Sequence, residues 1–182
     1  MIFKSNELIV RELEQKDGNL LVKWLSDPLV LKYYEGRDNP HDIHMVKKHF
    51  YHYEQNVTRC IVEFEHVEIG YIQFYLLDEK EKKEYGYFDD SRLIYGMDQF
   101  IGETSYWDRG IGKSLVTSMI HFLINKKNAD VIVMDPQTWN VRAISCYEKC
   151  GFKKEKLLPA HEWHEGKKRD CWLMVFTKSE IN

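Results

Sequence analysis

Hydrophobic and polar positions change their period several times along the chain. Across Glu7–Glu12, Leu8 and Val10 alternate with Ile9 and Arg11, which predicts a first strand. From Lys16 to Ser26, Leu20, Leu21, Trp24 and Leu25 form a helical stripe that stops before Pro28. Leu29–Asp38 predicts a short helix running into a turn. His41–Tyr53 predicts a second helix, with Ile43, Val46, Phe50 and Tyr51 at three-to-four spacing. Arg59–Glu65 and Glu68–Leu77 predict two antiparallel strands joined by a tight turn at Glu65-His66-Val67. The second strand places Ile69, Tyr71, Gln73 and Tyr75 on one face. Asp78–Arg92 is charged and turn-rich and predicts a mobile loop. Leu93–Ile101 then predicts a central strand, 102–108 a turn, and Arg109 onward a helix with Leu115, Met119, Phe122 and Leu123 on one face. Ala129–Met134 predicts a short strand, followed by a helix over Val141–Lys149 capped by Asn140. Phe152–Leu158 and Cys171–Thr177 predict two last strands, with Pro159–Lys168 a loop between them. This order of elements is that of an α+β fold around one mixed sheet.

Composition narrows the class. The chain has 182 residues, 43% of them hydrophobic and 30% charged, which fits one folded domain over 1–182 with a sizeable core. The formal net charge of −3 argues against a nucleic-acid partner, which needs a basic surface, and is compatible with a cationic small molecule. No apolar run has the length of a membrane span, and the first residues lack the apolar core of a signal peptide. A cytoplasmic protein with no membrane partner is the expectation. The four cysteines, Cys60, Cys146, Cys150 and Cys171, lack C-x-x-C spacing and read as free thiols.

The chemistry concentrates at the entry to the helix after the central strand. Arg109-Gly110-Ile111-Gly112-Lys113-Ser114 opens a helix with glycines and two cations, an arrangement that binds phosphate through backbone N–H groups and the helix dipole. A Walker A loop would need glycine where Trp107 stands. A pyrophosphate loop for coenzyme A, or a plain strand–turn–helix with glycines for packing, are the other two readings.

A second stretch, Asp135–Phe152 (DPQTWNVRAISCYEKCGF), joins a helix-capping Asn140 to Arg142-Ala143 and to Tyr147-Glu148-Lys149 before Gly151-Phe152. Together the two stretches resemble the paired coenzyme-binding motifs of the GNAT superfamily of N-acetyltransferases. With YGMDQFIGE and the histidine- and lysine-rich segment near Asp170, they look like aminoglycoside 6′-N-acetyltransferases over most of the chain. The family motif usually has Gln or Arg at the place of Trp107.

The resemblance implies a GNAT fold, a central and mostly antiparallel twisted sheet flanked by helices, and acetyl transfer from acetyl-CoA to the 6′-amine of an aminoglycoside in a ternary complex; another amine, such as a polyamine or a protein N-terminus, and a non-catalytic acyl-CoA-binding module are the alternatives. It implies that Phe100, Ile101, Arg109, Gly110, Ile111, Gly112, Lys113, Ser114, Asn140, Ala143 and Tyr147 hold the coenzyme. It implies that Asp98 accepts the proton of the attacking ammonium and that Tyr147 protonates the departing thiolate. Tyr34, Gln73, Tyr75, Asp98, Asp135 and Asp170 are the expected acceptor-side residues. A β-bulge near Asp98–Phe100 would free an N–H for the thioester carbonyl. Monomer and homodimer are both compatible with the sequence. The eight histidines include His161-Glu162-Trp163-His164, one residue short of a zinc-binding H-E-x-x-H, so no metal is expected.

Overall fold

The structure, a computed structural model, describes residues 1–181. Its strands are β1 (Phe3–Ser5), β2 (Leu8–Glu12), β3 (Val57–Phe64), β4 (Val67–Leu76), β5 (Ile94–Ile101), β6 (Val131–Met134), β7 (Lys153–His164) and β8 (Lys167–Thr177). Its helices are α1 (Gly18–Trp24), α2 (Pro28–Leu31), α3 (Ile43–Phe50), α4 (Glu79–Tyr85), α5 (Ile111–Lys127) and α6 (Val141–Lys149). Among the described residues the strands form one eight-stranded sheet in the order β1-β2-β3-β4-β5-β6-β8-β7. The sheet is mixed: β1–β2, β2–β3 and β6–β8 pair antiparallel, β5–β6 parallel. The predicted α+β class with a mixed sheet is the observed one.

Two predicted segments differ. The expected mobile loop at 78–92 contains α4. Asp78 and Glu81 form a capping box, each side chain accepting the other's backbone N–H at 2.8 Å, and Gly86 closes the helix at φ 89°. The charge-rich sequence EKEKKEY reads as a solvated loop, but its caps specify a helix. The expected loop at 159–168 is the end of β7, a turn and the start of β8. Glu165 and Gly166, at φ 51° and 73°, make a two-residue hairpin turn of the kind whose twist matches the strands. Glu65 and His66, at φ 50° and 66°, do the same between β3 and β4. β1 is three residues long and had no alternation to reveal it.

By internal contacts the chain divides into two compact units. The first comprises Met1–Gln73, Gln99–Ile111 and Trp163–Lys167. Its core joins Trp24, Leu25, Leu31, Phe50, Tyr71 and Phe100. Phe100 is the centre of an aromatic group, with ring centroids 4.6 Å from Tyr34, 5.6 Å from Tyr71 and 6.0 Å from Trp24. Arg11 ties β2 to this unit's entry helix: it donates to Asp17 at 2.7 and 2.9 Å and to Glu63 on β3 at 2.6 Å.

The second unit comprises Phe74–Asp98, Gly112–Glu162 and the described residues from Lys168 onward. Ile94, Val131, Val133, Leu173 and Val175 form its core, and Tyr75, Tyr85 and Tyr87 pack against them. Within it, Ile94, Tyr95 and Gly96 of β5 pair with Val131, Ile132 and Val133 of β6, and β6 pairs in turn with β8 from Val131↔Thr177 to Met134↔Met174. Asp98 follows on β5 beyond the last of these β5–β6 pairs.

Candidate active site

The predicted coenzyme residues fall in both units and are described within each. In the first, the turn after β5 is fixed by Trp107, whose indole N–H donates to the Ile101 carbonyl at 2.8 Å. That bond is what occupies the position where the family motif places Gln or Arg. It engages one of the backbone groups expected to face the coenzyme. Phe100 is buried among aromatic rings, so only its backbone is available for such a role. Asp108 and Gly110 adopt positive φ of 58° and 77°, and the helix begins at Ile111, itself buried. The Arg109 guanidinium lies over the Tyr106 ring, 4.8 Å from its centroid.

In the second unit, the first turn of α5 lies against α6. A Cβ added at Gly112 would stand 3.8 Å from Cys146 Sγ. The Cys150 thiol donates to the Lys113 carbonyl and accepts from the Thr117 hydroxyl, both at 3.7 Å. Cys146 and Cys150 act on each other as neighbouring thiols, which holds Cys150 below the ordinary thiol range and Cys146 above it. All four cysteines are free. Asn140 caps α6 by accepting the Ala143 N–H at 3.2 Å, as its sequence predicted. Tyr147, partly buried, has its ring 6.2 Å from Phe152. Back in the first unit, the loop backbone at Gly110 is open, and a Cβ there would meet nothing within 4 Å.

The acceptor-side residues divide likewise. In the first unit, Tyr34 packs on Phe100, and Gln73 accepts a 2.8 Å bond from the Tyr71 hydroxyl. The second unit holds Tyr75, Asp98 and Asp135. The Tyr75 ring fills the space over Gly96, where any Cβ would collide with it. Burial pushes the Tyr75 hydroxyl far above its ordinary pKa, and the charges of Asp98 and Asp135 push it further. The Asp170 carboxylate accepts the N–H of Ala160, a β7 residue at φ 47°, at 2.8 Å.

Two residues of this cluster had no place in the predicted site. Asp135 Oδ2 accepts the Tyr85 hydroxyl at 2.9 Å and pairs with His161 Nε2 at 2.9 Å. Tyr85 ends α4 and His161 lies on β7, the two segments predicted as loops. Tyr85, mostly buried, is also raised well above the ordinary tyrosine value by burial and by Asp135. Both tyrosines are therefore hydrogen-bond donors at neutral pH. Among the described residues no three His, Cys, Asp or Glu side chains gather as a metal site requires, and no helix is long and apolar enough to cross a membrane.

Comparison with known proteins gives this fold its class. Residues 14–159 match the acetyltransferase (GNAT) domain family, and the chain belongs to that family. It is similar to the aminoglycoside N(6′)-acetyltransferase type 1 of Klebsiella pneumoniae, 26% identical over 161 residues that cover 85% of this chain and 79% of the relative. Among solved structures, AAC(6′)-Ib in complex with ribostamycin and coenzyme A superposes with a TM-score of 0.80 at 23% identity, covering 96% of each chain. The spermidine N-acetyltransferase of Vibrio cholerae, in complex with CoA and spermine, superposes with a TM-score of 0.78 at 17% identity, covering 98% of this chain and all of that one. At those identities the structural likenesses establish the fold; acceptors differ between the two relatives.

Proposed function

We propose that the chain acetylates the 6′-amine of aminoglycosides from acetyl-CoA, within one ternary complex, and so protects a cell from these antibiotics. The observation that supports it most is the Asp135 carboxylate, which takes the Tyr85 hydroxyl and His161 on Oδ2 alone, in a chain of the acetyltransferase family where the charge of Asp98 also acts on Tyr75. A polycationic sugar needs acidic groups to receive its ammoniums and aromatic surface to receive its rings.

Bound acetyl-CoA supplies an activated acetyl thioester. Within the second unit, the backbone N–H groups of Gly112–Ser114 receive its pyrophosphate, with Lys113 adding positive charge, and the capped start of α6 at Asn140 and Ala143 serves the same coenzyme. Asp98 draws the reacting ammonium in and takes its proton, leaving a neutral amine as nucleophile. Tyr147 stands as the proton donor on the coenzyme side. Asp135 and Tyr75 orient the acceptor within the second unit so that one amine is presented.

The experiment is a coupled thiol-release assay on wild type and Asp98→Asn with kanamycin, a 6′-hydroxyl analogue and spermidine. Kanamycin should turn over and the hydroxyl analogue should not. Asp98→Asn should fold, still bind acetyl-CoA, and lose roughly 10²–10⁴-fold in kcat. Turnover of spermidine alone would replace the aminoglycoside by a linear polyamine. Near wild-type kcat in Asp98→Asn would move the base elsewhere, with Asp135 the next residue to test.

A further inference from the structure

The Asp135 carboxylate is used unevenly. Both of its side-chain partners, the Tyr85 hydroxyl and His161 Nε2, bond to Oδ2 at 2.9 Å. Oδ1 has no hydrogen-bond partner among the described residues. Asp135 and His161 are each about one-quarter exposed, at 27% and 26% of their side-chain surface, so solvent and small cations reach them. The carboxylate is thus braced on one oxygen and open on the other.

His161 can make its bond to Asp135 in two charge states. A neutral imidazole with its proton on Nε2 donates to Oδ2 and leaves the carboxylate its full negative charge. A second proton on Nδ1 keeps the same bond and cancels that charge. The groups that face the ring are Glu84 and Tyr85 from α4, Asp135 after β6, and its neighbour Glu162 on β7. From β8 come Asp170, which holds the adjacent Ala160 N–H, and Cys171, which donates to Glu162 at 3.8 Å. All of these are acidic or neutral. The hydrogen bond and charge of Asp135 raise His161 above the ordinary histidine value, against the opposing effect of burial.

We infer that His161 is a specificity-determining residue, because its second proton and the ammonium of a cationic acceptor compete for the one carboxylate of Asp135. With the imidazolium present, the pair is neutral and an ammonium at Oδ1 gains little. With the imidazole neutral, Asp135 offers a full charge. The site therefore discriminates for cationic acceptors more strongly as pH rises through the His161 titration. The inference rests on the reading of Asp135 as an acceptor-side group.

The test measures KM and kcat for kanamycin between about pH 5.5 and 8.5, the range over which imidazole changes charge. Wild type is compared with His161→Gln, His161→Lys and Asp135→Asn. Wild-type KM should fall about tenfold as pH rises, the size of one charge-assisted hydrogen bond. His161→Gln, neutral throughout, should have a low KM with that slope removed. His161→Lys, cationic throughout, should have a high KM across the range. In each, kcat should move less than KM. Protonation of the antibiotic itself contributes equally to all four proteins and drops out of the comparison. In parallel, the imidazole of His161 is titrated by NMR in the wild-type chain with coenzyme A, with and without kanamycin. Kanamycin should lower its pKa. If the Gln and Lys variants change KM together, if the slope persists in His161→Gln, or if kanamycin leaves the titration unmoved, the competition is overturned. If Asp135→Asn leaves KM unchanged, the underlying placement of Asp135 fails instead; if it raises KM while the His161 arms fail, only the inference falls.

Discussion

Asp17 and Asp135, one in each unit, are both held by side-chain donors, and they are held for opposite ends. Asp17 is almost fully buried, with 2% of its side chain exposed. Arg11 grips both of its oxygens, and the Glu14 N–H adds a third bond at 2.8 Å. Burial alone would raise this carboxyl, yet the Arg11 and Glu14 bonds hold it below the ordinary value. Both oxygens have donors, and the main donor is a permanent cation. Asp135 has a hydroxyl and an imidazole on one oxygen and, among the described residues, no partner on the other. A carboxylate saturated by arginine is finished as a ligand and serves the fold. One braced by neutral or titratable donors keeps its charge for an incoming cation.

The largest effect that would break this comparison is on the structural side. Arg11→Met removes the guanidinium from Asp17 and Glu63 and keeps much of the side chain's apolar stem. An unpaired buried carboxylate costs several kcal/mol; since Arg11 is 14% exposed, we expect the low end, about 3 kcal/mol, or roughly 10 °C in Tm. The sign of the pH dependence follows. A depressed carboxyl contributes stability above its unfolded pKa and loses it as pH falls through the folded value. Wild type should therefore lose stability toward acid in a step that Arg11→Met lacks. Denaturant unfolding across acidic pH measures both. Equal stability of the two proteins at neutral pH would mean that Asp17 is no more a structural carboxylate than Asp135.

Next in size is Asp135→Asn, which should be nearly silent in stability and visible in binding. Removing one charged interaction with an ammonium corresponds to about tenfold in KM for kanamycin. Acetyl-CoA affinity, read by calorimetry, should be unchanged. A loss of stability as large as that of Arg11→Met, without a change in KM, would place both carboxylates in the same structural role.

The sequence made one end of the candidate site plain and concealed the other. Arg109–Ser114 and the Asn140 cap are contiguous motifs, whose chemistry is written within a few residues and whose geometry follows from helix ends. Asp98 stood out because a carboxylate inside an apolar strand is costly, and Asp135 because it stands in the second family motif at the end of a strand. Tyr85 and His161 did not stand out, because each is recognised only through Asp135, 50 and 26 residues away. Both also lay in segments dominated by charge, where periodicity gives no signal. At α4 the information was present in a different form: Asp78 and Glu81 have the spacing of a capping box and Gly86 the place of a left-handed C-cap. In the β7–β8 hairpin, Pro159 and Gly166 suggested a long loop, but only Glu165 and Gly166 turn the chain. Trp107 departs from the family motif for a reason the sequence could not state, its bond to the Ile101 carbonyl.

The smallest effect sharpens the comparison most, because it acts on the brace and leaves the charge of Asp135 in place. Tyr85→Phe removes the hydroxyl on Asp135 Oδ2 and keeps the ring, which packs with Tyr75 and Tyr87 on the core of its unit. A hydrogen bond of this kind is worth about 1 kcal/mol, so stability should fall by that amount or less. Two consequences separate a brace from mere packing. Freed from the hydroxyl, Asp135 can turn, and KM for kanamycin should rise roughly two- to fivefold, which is ~0.4–1 kcal/mol. Without the hydroxyl sharing Oδ2, the carboxylate bears more charge toward His161, and the imidazole should titrate at higher pH than in wild type. The second change is the discriminating one, since a packing defect would not raise a histidine pKa through a single oxygen. NMR titration of His161 in both proteins decides it. An unmoved titration with an unmoved KM would mean that Tyr85 only fills space, and that Asp135 is held by His161 alone.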